Sequence, residues 1–393
     1  MMKRFVLLVL VAFTAFMVLH LSKDPLRGGW TPTQERPTFA DPPVRQSPIL
    51  LNSSKDCRPC HEEVYREWEQ SHHRISYTNP EVQLLSTGFQ GEGLDCLPCH
   101  LPRPVPETGF GVRPLERAVR HDEGVDCMTC HHHPKSHVML GAGPLTAAAK
   151  DAPCQPEVHP AISSMDLCAP CHNQHKVHEE WRQSRYAVTG ADYKDCNDCH
   201  MPEIDRLGLG GEARKGRSHA FPGAHDPEML RSAATFDFSK IGSRELRLHI
   251  LNSGAGHNFP ADERHRAVDV HLIAKGLQGP IREVRAFRFR NPYRQDFEYR
   301  NPLPKVDSVH EETLDLGPLG AIAMVLRRIP SPYNPVREIW YERSTQIPEG
   351  EAREFQFSLP PSVLTVTVKA WYRKKPNASD EESVLLYEKT LDL

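Results

Sequence analysis

The sequence predicts an α+β protein. A mostly helical and irregular cysteine-rich domain is followed by an antiparallel β-sandwich, with an N-terminal transmembrane helix ahead of both. Three observations carry this expectation. Ten of the 11 Cys lie in five Cys-x-x-Cys-His pentapeptides within residues 51–229. From about residue 233 the chain alternates apolar and polar residues with period two, as half-buried strands do. Residues Phe5–Leu21 form an apolar run directly behind Lys3 and Arg4.

Positive charge ahead of an apolar run sends the following chain across a membrane. No Ala-x-Ala site follows, which favours a retained anchor over residues 1–21. The run is short for a span, so a removed signal sequence is the other reading. Either way the remainder faces an oxidising, extracytoplasmic space, on the periplasmic side or the cell surface. Residues 22–50 contain Pro25, Pro32, Pro37, Pro42, Pro43 and Pro48 and read as an extended, semi-rigid linker. A chain of 393 residues has room for two or three domains, and a net charge of −3 makes no case for nucleic-acid binding.

The cysteine-rich domain spans residues 51–229. Its pentapeptides are Cys57–His61, Cys96–His100, Cys127–His131, Cys168–His172 and Cys196–His200. Cys-x-x-Cys-His is the attachment site of a c-type haem. One helical turn brings two thiols to the porphyrin edge and the imidazole under its centre. The thioether residues are therefore Cys57, Cys60, Cys96, Cys99, Cys127, Cys130, Cys168, Cys171, Cys196 and Cys199. The proximal ligands are His61, His100, His131, His172 and His200. Paired Cys also make zinc knuckles. With 22 His in the chain, five unselected neighbours would all be His about once in a million trials. The expected cofactor is haem c, five copies, all covalent. Large buried porphyrins also account for a hydrophobic content of only 39%, because they replace aliphatic core.

Each iron needs a sixth ligand or an open site. Setting aside the five proximal His and His20 in the apolar run leaves sixteen, so most haems are expected to be bis-His. The candidate distal ligands are His73, His121, His137, His219, His225 and His257. His73 ends the stretch Glu62–His73, which reads as a helix leaving the first site; His72 is its neighbour and rival. His121 and His137 flank the third site, His219 and His225 flank Phe221-Pro-Gly, and His257 lies in a glycine-rich loop between strands. His132, His133, His159, His175 and His178 read as ordinary histidines. A weak duplication places Trp68-x-x-Ser71-x-His73 after the first site and Trp181-x-x-Ser184-x-Tyr186 after the fourth. Each is followed by a further site ending in Leu101-Pro102 or Met201-Pro202. Tyr186 can ligate iron or simply pack. Cys154 is the odd thiol, read as buried and inert.

Residues 230–393 hold the alternating runs 245–251, 267–274, 281–290, 351–359, 364–373 and 383–388. Six to eight such strands suit an antiparallel sandwich. The row Arg282, Arg285, Arg288 and Arg290 reads as a solvated face or as partners for haem propionates.

The Cys-x-x-Cys-His…Trp-x-x-Ser-x-His block resembles the tetrahaem cytochrome family of nitrifying bacteria that accepts electrons from hydroxylamine oxidoreductase, here with five sites. The resemblance implies that His73 and His121 are distal ligands. The Asn252…Gly-Ala-Gly-His257 loop and the strand-rich tail are similar to multihaem cytochromes of respiratory and sediment bacteria.

Successive sites start 28 to 41 residues apart, which forces the porphyrins close together. The expected function is electron relay in a respiratory chain between redox partner proteins, donor and acceptor, with membrane contact through the N-terminal helix. The alternative is an oxidoreductase acting on a small nitrogen or sulfur compound at a five-coordinate haem. The Cys-x-x-Cys-Lys site of nitrite-reducing multihaem enzymes is absent. A third class is a binding subunit in which the sandwich docks the cytochrome to a partner.

Overall fold

The computed structural model describes residues 39–46, 51–80, 82–83, 96–145, 149, 152–173, 176–208, 211–261, 266–277, 279–291, 344–375 and 378–393. Its helices in chain order are α1 (Glu62–Glu69), α2 (Leu97–His100), α3 (Val105–Thr108), α4 (Cys127–His131), α5 (Ala169–His172), α6 (Val177–Arg182), α7 (Cys196–His200) and α8 (Pro227–Ser232). Four of these are the motifs themselves: α2, α4, α5 and α7 each end on the His of a Cys-x-x-Cys-His. Aspartates start two of them. The Asp126 carboxylate accepts from Thr129 N, and that of Asp195 accepts from Asn197 N and Asp198 N, each within a reciprocal capping box.

The described residues correct two expectations. The first domain is not mostly helical. Its longest described helix, α1, has eight residues, and it carries two small sheets. One is β1 (His132–His133), β2 (Val138–Gly141) and β3 (Pro156–Val158); the other is the hairpin β4 (Glu203–Leu207) and β5 (Ala213–Arg217). The helix expected to reach His73 stops at Glu69, and Ser71 Oγ donates to Trp68 O just beyond its end. The physical reason is local: an attachment motif needs a single turn, and frequent Pro stops the turns from extending. The N-terminal transmembrane helix is likewise not supported. No described helix is long and apolar enough to cross a membrane. The run on which that expectation rested, residues 1–21, and most of the 22–50 linker lie outside the described residues, as does His175.

The C-terminal part is built from two antiparallel sheets. β6 (Thr235–Lys240), β7 (Glu245–Leu251) and β10 (Ala352–Ser358) form the order β10-β7-β6. β8 (Ala267–Gly276), β9 (Gly279–Arg290), β11 (Thr365–Arg373) and β12 (Val384–Asp392) form the order β12-β11-β8-β9. Alternation puts one face of each strand inward. Phe238, Leu246, Leu248 and Ile250 of one sheet meet Val268, Val270, Val366, Val368, Ala370 and Tyr372 of the other in one core. Leu230 of α8 joins that core, and Arg231 Nε donates to Leu385 O at 3.0 Å. The expected boundary at 229/230 therefore falls inside a helix packed on the sheets.

Two members of the arginine row, Arg285 and Arg288, turn from solvent onto an acid. Asp269, 2% exposed, takes a two-pronged contact from Arg288 (2.6 and 2.7 Å) and one from Arg373 (3.2 Å), with Arg285 at 3.8 Å. Burial alone would raise the Asp269 carboxyl. The Arg288 hydrogen bonds and the charges of Arg288, Arg285 and Arg373 outweigh it and hold the group below its usual value. Asp269→Asn removes the carboxylate that Arg288 and Arg285 share, while Arg373 keeps Asp380 at 2.7 Å, and should cost about 3–5 kcal/mol in urea unfolding. A carboxylate with a depressed folded pKa stabilises above its unfolded value near 4 and loses that contribution as pH falls. The gap between wild type and Asp269→Asn should therefore narrow in acid.

Candidate haem-binding sites

The duplication is reproduced in the hydrogen bonds. Trp68 Nε1 donates to Val125 O at 2.8 Å, and Trp181 Nε1 donates to Lys194 O at 2.9 Å. Ser71 Oγ and Ser184 Oγ each donate to the Trp carbonyl three residues back at 2.7 Å. Val125 and Lys194 both sit two residues before a motif and one before its capping Asp. The first site is thereby tied to the third, as the fourth is to the fifth. The tail comparison of Leu101-Pro102 with Met201-Pro202 pairs different sites; the folded chain matches Asp126–His131 with Asp195–His200.

The thiols follow the same pairing. Cys57 lies in side-chain contact with Cys127, Cys168 with Cys196, and Cys99 with Cys171. Cys130 is near enough to Cys168 and Cys171 to influence both electrostatically. The five sites are thus one connected set: first to third, third to fourth, fourth to fifth, with the second against the fourth. The odd thiol, Cys154, is half-buried and feels Cys60; burial raises its pKa.

The fit to a six-coordinate iron can be tested on ring spacing. A metal–nitrogen bond is about 2.0 Å and an imidazole centroid lies about 1.2 Å behind its nitrogen, so two rings on opposite faces of one iron stand about 6.4 Å apart. Three pairs of rings meet this spacing: His73 with His172 at 6.1 Å, His131 with His219 at 6.3 Å and His200 with His257 at 6.4 Å. Each joins a motif His to one of the candidate distal His.

The ring nitrogens agree. A backbone carbonyl only accepts, so an Nδ1 against it must carry the proton and leave Nε2 free as a ligand. His100 Nδ1 donates to Ser76 O (2.9 Å), His131 to Leu140 O (2.7 Å) and His200 to Pro222 O (2.7 Å). On the distal side, His219 Nδ1 donates to Arg217 O (3.0 Å) and His257 Nδ1 to Asn258 O (3.1 Å). Burial pushes His73 down to about 3 and His219 down to about 4, which keeps both neutral. His133 and His159 are the reverse: their Nδ1 atoms accept from Ser136 N and Ala161 N, so the neutral ring carries its proton on Nε2.

The other candidate distal His are placed differently. His121 rests on Tyr77, with centroids 5.2 Å apart. His225 stacks on His72 at 3.4 Å and 16°. His137 has φ of +56° in the turn between β1 and β2. Among the described residues, no second His ring stands at the bis-His spacing from His61 or His100. Sequence reasoning missed Phe221 as a neighbour of the ligand set; its ring lies 4.2 Å from His73 and 5.7 Å from His219. It also missed the carbonyls of Ser76, Leu140 and Pro222. Backbone acceptors leave no mark in a sequence, and only the Phe221-Pro-Gly turn hinted at one.

Residues 56–132, covering the first three motifs, match the family described as Cytochrome c554 and c-prime. No curated protein matches the chain. Among solved structures, the chain is similar to a penta-heme cytochrome c552 from Thermochromatium tepidum, with a TM-score of 0.59 and 18% identity. The match covers 88% of this chain and 100% of that one. That likeness is one of fold.

Proposed function

We propose that this chain, a multihaem c-type cytochrome, holds five covalent haems c and relays electrons between redox partner proteins in an extracytoplasmic respiratory chain. One observation carries the reading: three motif histidines each face a second histidine at the spacing of a shared iron. Haem c supplies reversible one-electron iron chemistry when bound. The chain's residues do the rest. Ten thiols anchor the edges at Cys57/Cys60, Cys96/Cys99, Cys127/Cys130, Cys168/Cys171 and Cys196/Cys199. His61, His100, His131, His172 and His200 would hold the irons as motif ligands, and His73, His219 and His257 would be the second ligands of the fourth, third and fifth sites. At the third and fifth sites both facing histidines are held by backbone carbonyls, so they would change position little when the iron changes charge, which favours fast exchange over chemistry on a bound substrate.

Intact mass of the haem-loaded protein should exceed the polypeptide by five haems, with no reactive thiol except Cys154. Four haems or fewer, with a free Cys pair, would remove one site. Low-temperature EPR of the oxidised protein should show low-spin signals for the third, fourth and fifth sites. High-spin iron at any of these three would contradict the pairing.

A further inference from the structure

We propose that Glu180 is a positioning residue for the sixth ligand of the fifth site: it holds the sandwich loop that carries His257 where that ring faces His200. This rests on the bis-His reading of the His200–His257 pair. A ligand on a loop is only as well placed as the neighbours that hold the loop. The stretch Asn252–Asn258 has no helix or strand of its own and is held from two sides.

From the sandwich, Asn252 Nδ2 donates to His257 O (2.8 Å) and to Ile347 O (2.9 Å). From the haem side, both oxygens of one carboxylate grasp the residue next to the ligand. Glu180 Oε2 accepts from Asn258 N at 3.1 Å and Oε1 from Asn258 Nδ2 at 2.8 Å. Hydrogen bonds to a carboxylate are about twice as strong as neutral ones. The same helix region walls in the loop. A Cβ on Gly256 would stand 3.1 Å from Tyr186 Cδ2 and 3.3 Å from Trp181 Cδ1, and one on Gly254 would stand 2.0 Å from Ser232 O. Arg185 Nη2 donates to Ser253 O at 2.9 Å.

The duplication makes sense of Tyr186. In the first copy, the ring of His73 in Trp68-x-x-Ser71-x-His73 faces His172 of the fourth site, and the third site, which matches the fifth, is faced by His219. In the second, Tyr186 stands at that place and leans on Gly256, and Glu180 one residue before Trp181 grips Asn258. The second copy presents no histidine at that place, and the His that faces the fifth site comes from the sandwich loop. The sandwich is thereby part of the fifth haem site.

The test uses the full haem-loaded protein. His257→Ala should bind one more carbon monoxide per reduced chain than wild type, with covalent haem content unchanged. Glu180→Ala should gain binding at that same haem, and the double variant should gain no more than His257→Ala alone. Glu180→Gln, which keeps one acceptor oxygen for Asn258 Nδ2, should fall between wild type and Glu180→Ala, and it carries the test if Glu180→Ala folds poorly. If His257→Ala gains nothing, the pairing with His200 is wrong. If His257→Ala gains one equivalent while both Glu180 variants stay at the wild-type level with all haem potentials unchanged, the positioning role is wrong and the pairing stands.

Discussion

Made without haem attachment, the chain should keep its sandwich and lose the fold of residues 51–226. The two parts bury apolar residues very unequally. The sandwich core joins sixteen buried residues, with Phe238, Leu246, Leu248, Val270, Val368 and Ala370 fully enclosed. At about 1.5–3 kcal/mol for each large buried side chain, that core can offset the entropy of ordering its own strands. In the haem part, the connected buried cluster among the described residues is Val138, Leu140 and Ile162, backed by Phe110 and Leu167. Ordering costs about 1–2 kcal/mol per residue, far beyond what such a cluster returns without porphyrin. Limited proteolysis of the haem-free chain should degrade residues up to about α8 and leave a fragment beginning near Asp226. Circular dichroism of that fragment should be β-rich. A haem-free chain that resists protease along its whole length would show that the haem part has a sufficient core of its own.

His73→Ala should open the fourth site while leaving all haems attached. The His73 ring faces His172 at 6.1 Å, and burial keeps it neutral with a pKa of about 3. Covalent attachment uses Cys168, Cys171 and His172, none of which the substitution touches. The vacated face should take up carbon monoxide in the reduced protein, one equivalent more than wild type. Potential at that site should shift on the order of 100 mV, since each tenfold change in relative affinity is worth about 59 mV for one electron. The fourth site touches the second through Cys99–Cys171 and the fifth through Cys168–Cys196, so electron flow through the set should slow at least about tenfold, or 1.4 kcal/mol. Unchanged low-spin spectra would assign His172 another partner.

The local shape of the motifs was legible in the residues alone, because Cys-x-x-Cys-His needs only one turn: four of the five, α2, α4, α5 and α7, are that turn. Strands were equally legible, because period-two alternation in Glu245–Leu251 or Thr365–Arg373 is dictated by the pleat. The Trp-x-x-Ser repeat was visible too, though which sites it links depended on Trp68 reaching Val125, 57 residues away. Ligand pairing was not legible. Sixteen histidines remained for five expected irons, and the rings that stand together come from segments distant in sequence: His73 with His172, His131 with His219, His200 with His257 of a sandwich loop. The arginine row shows the same limit. Its sequence is that of a solvated face, but Arg285 and Arg288 meet the buried Asp269 of the neighbouring strand. A strand's alternation decides which residues share a face, and only the tertiary structure decides what covers that face.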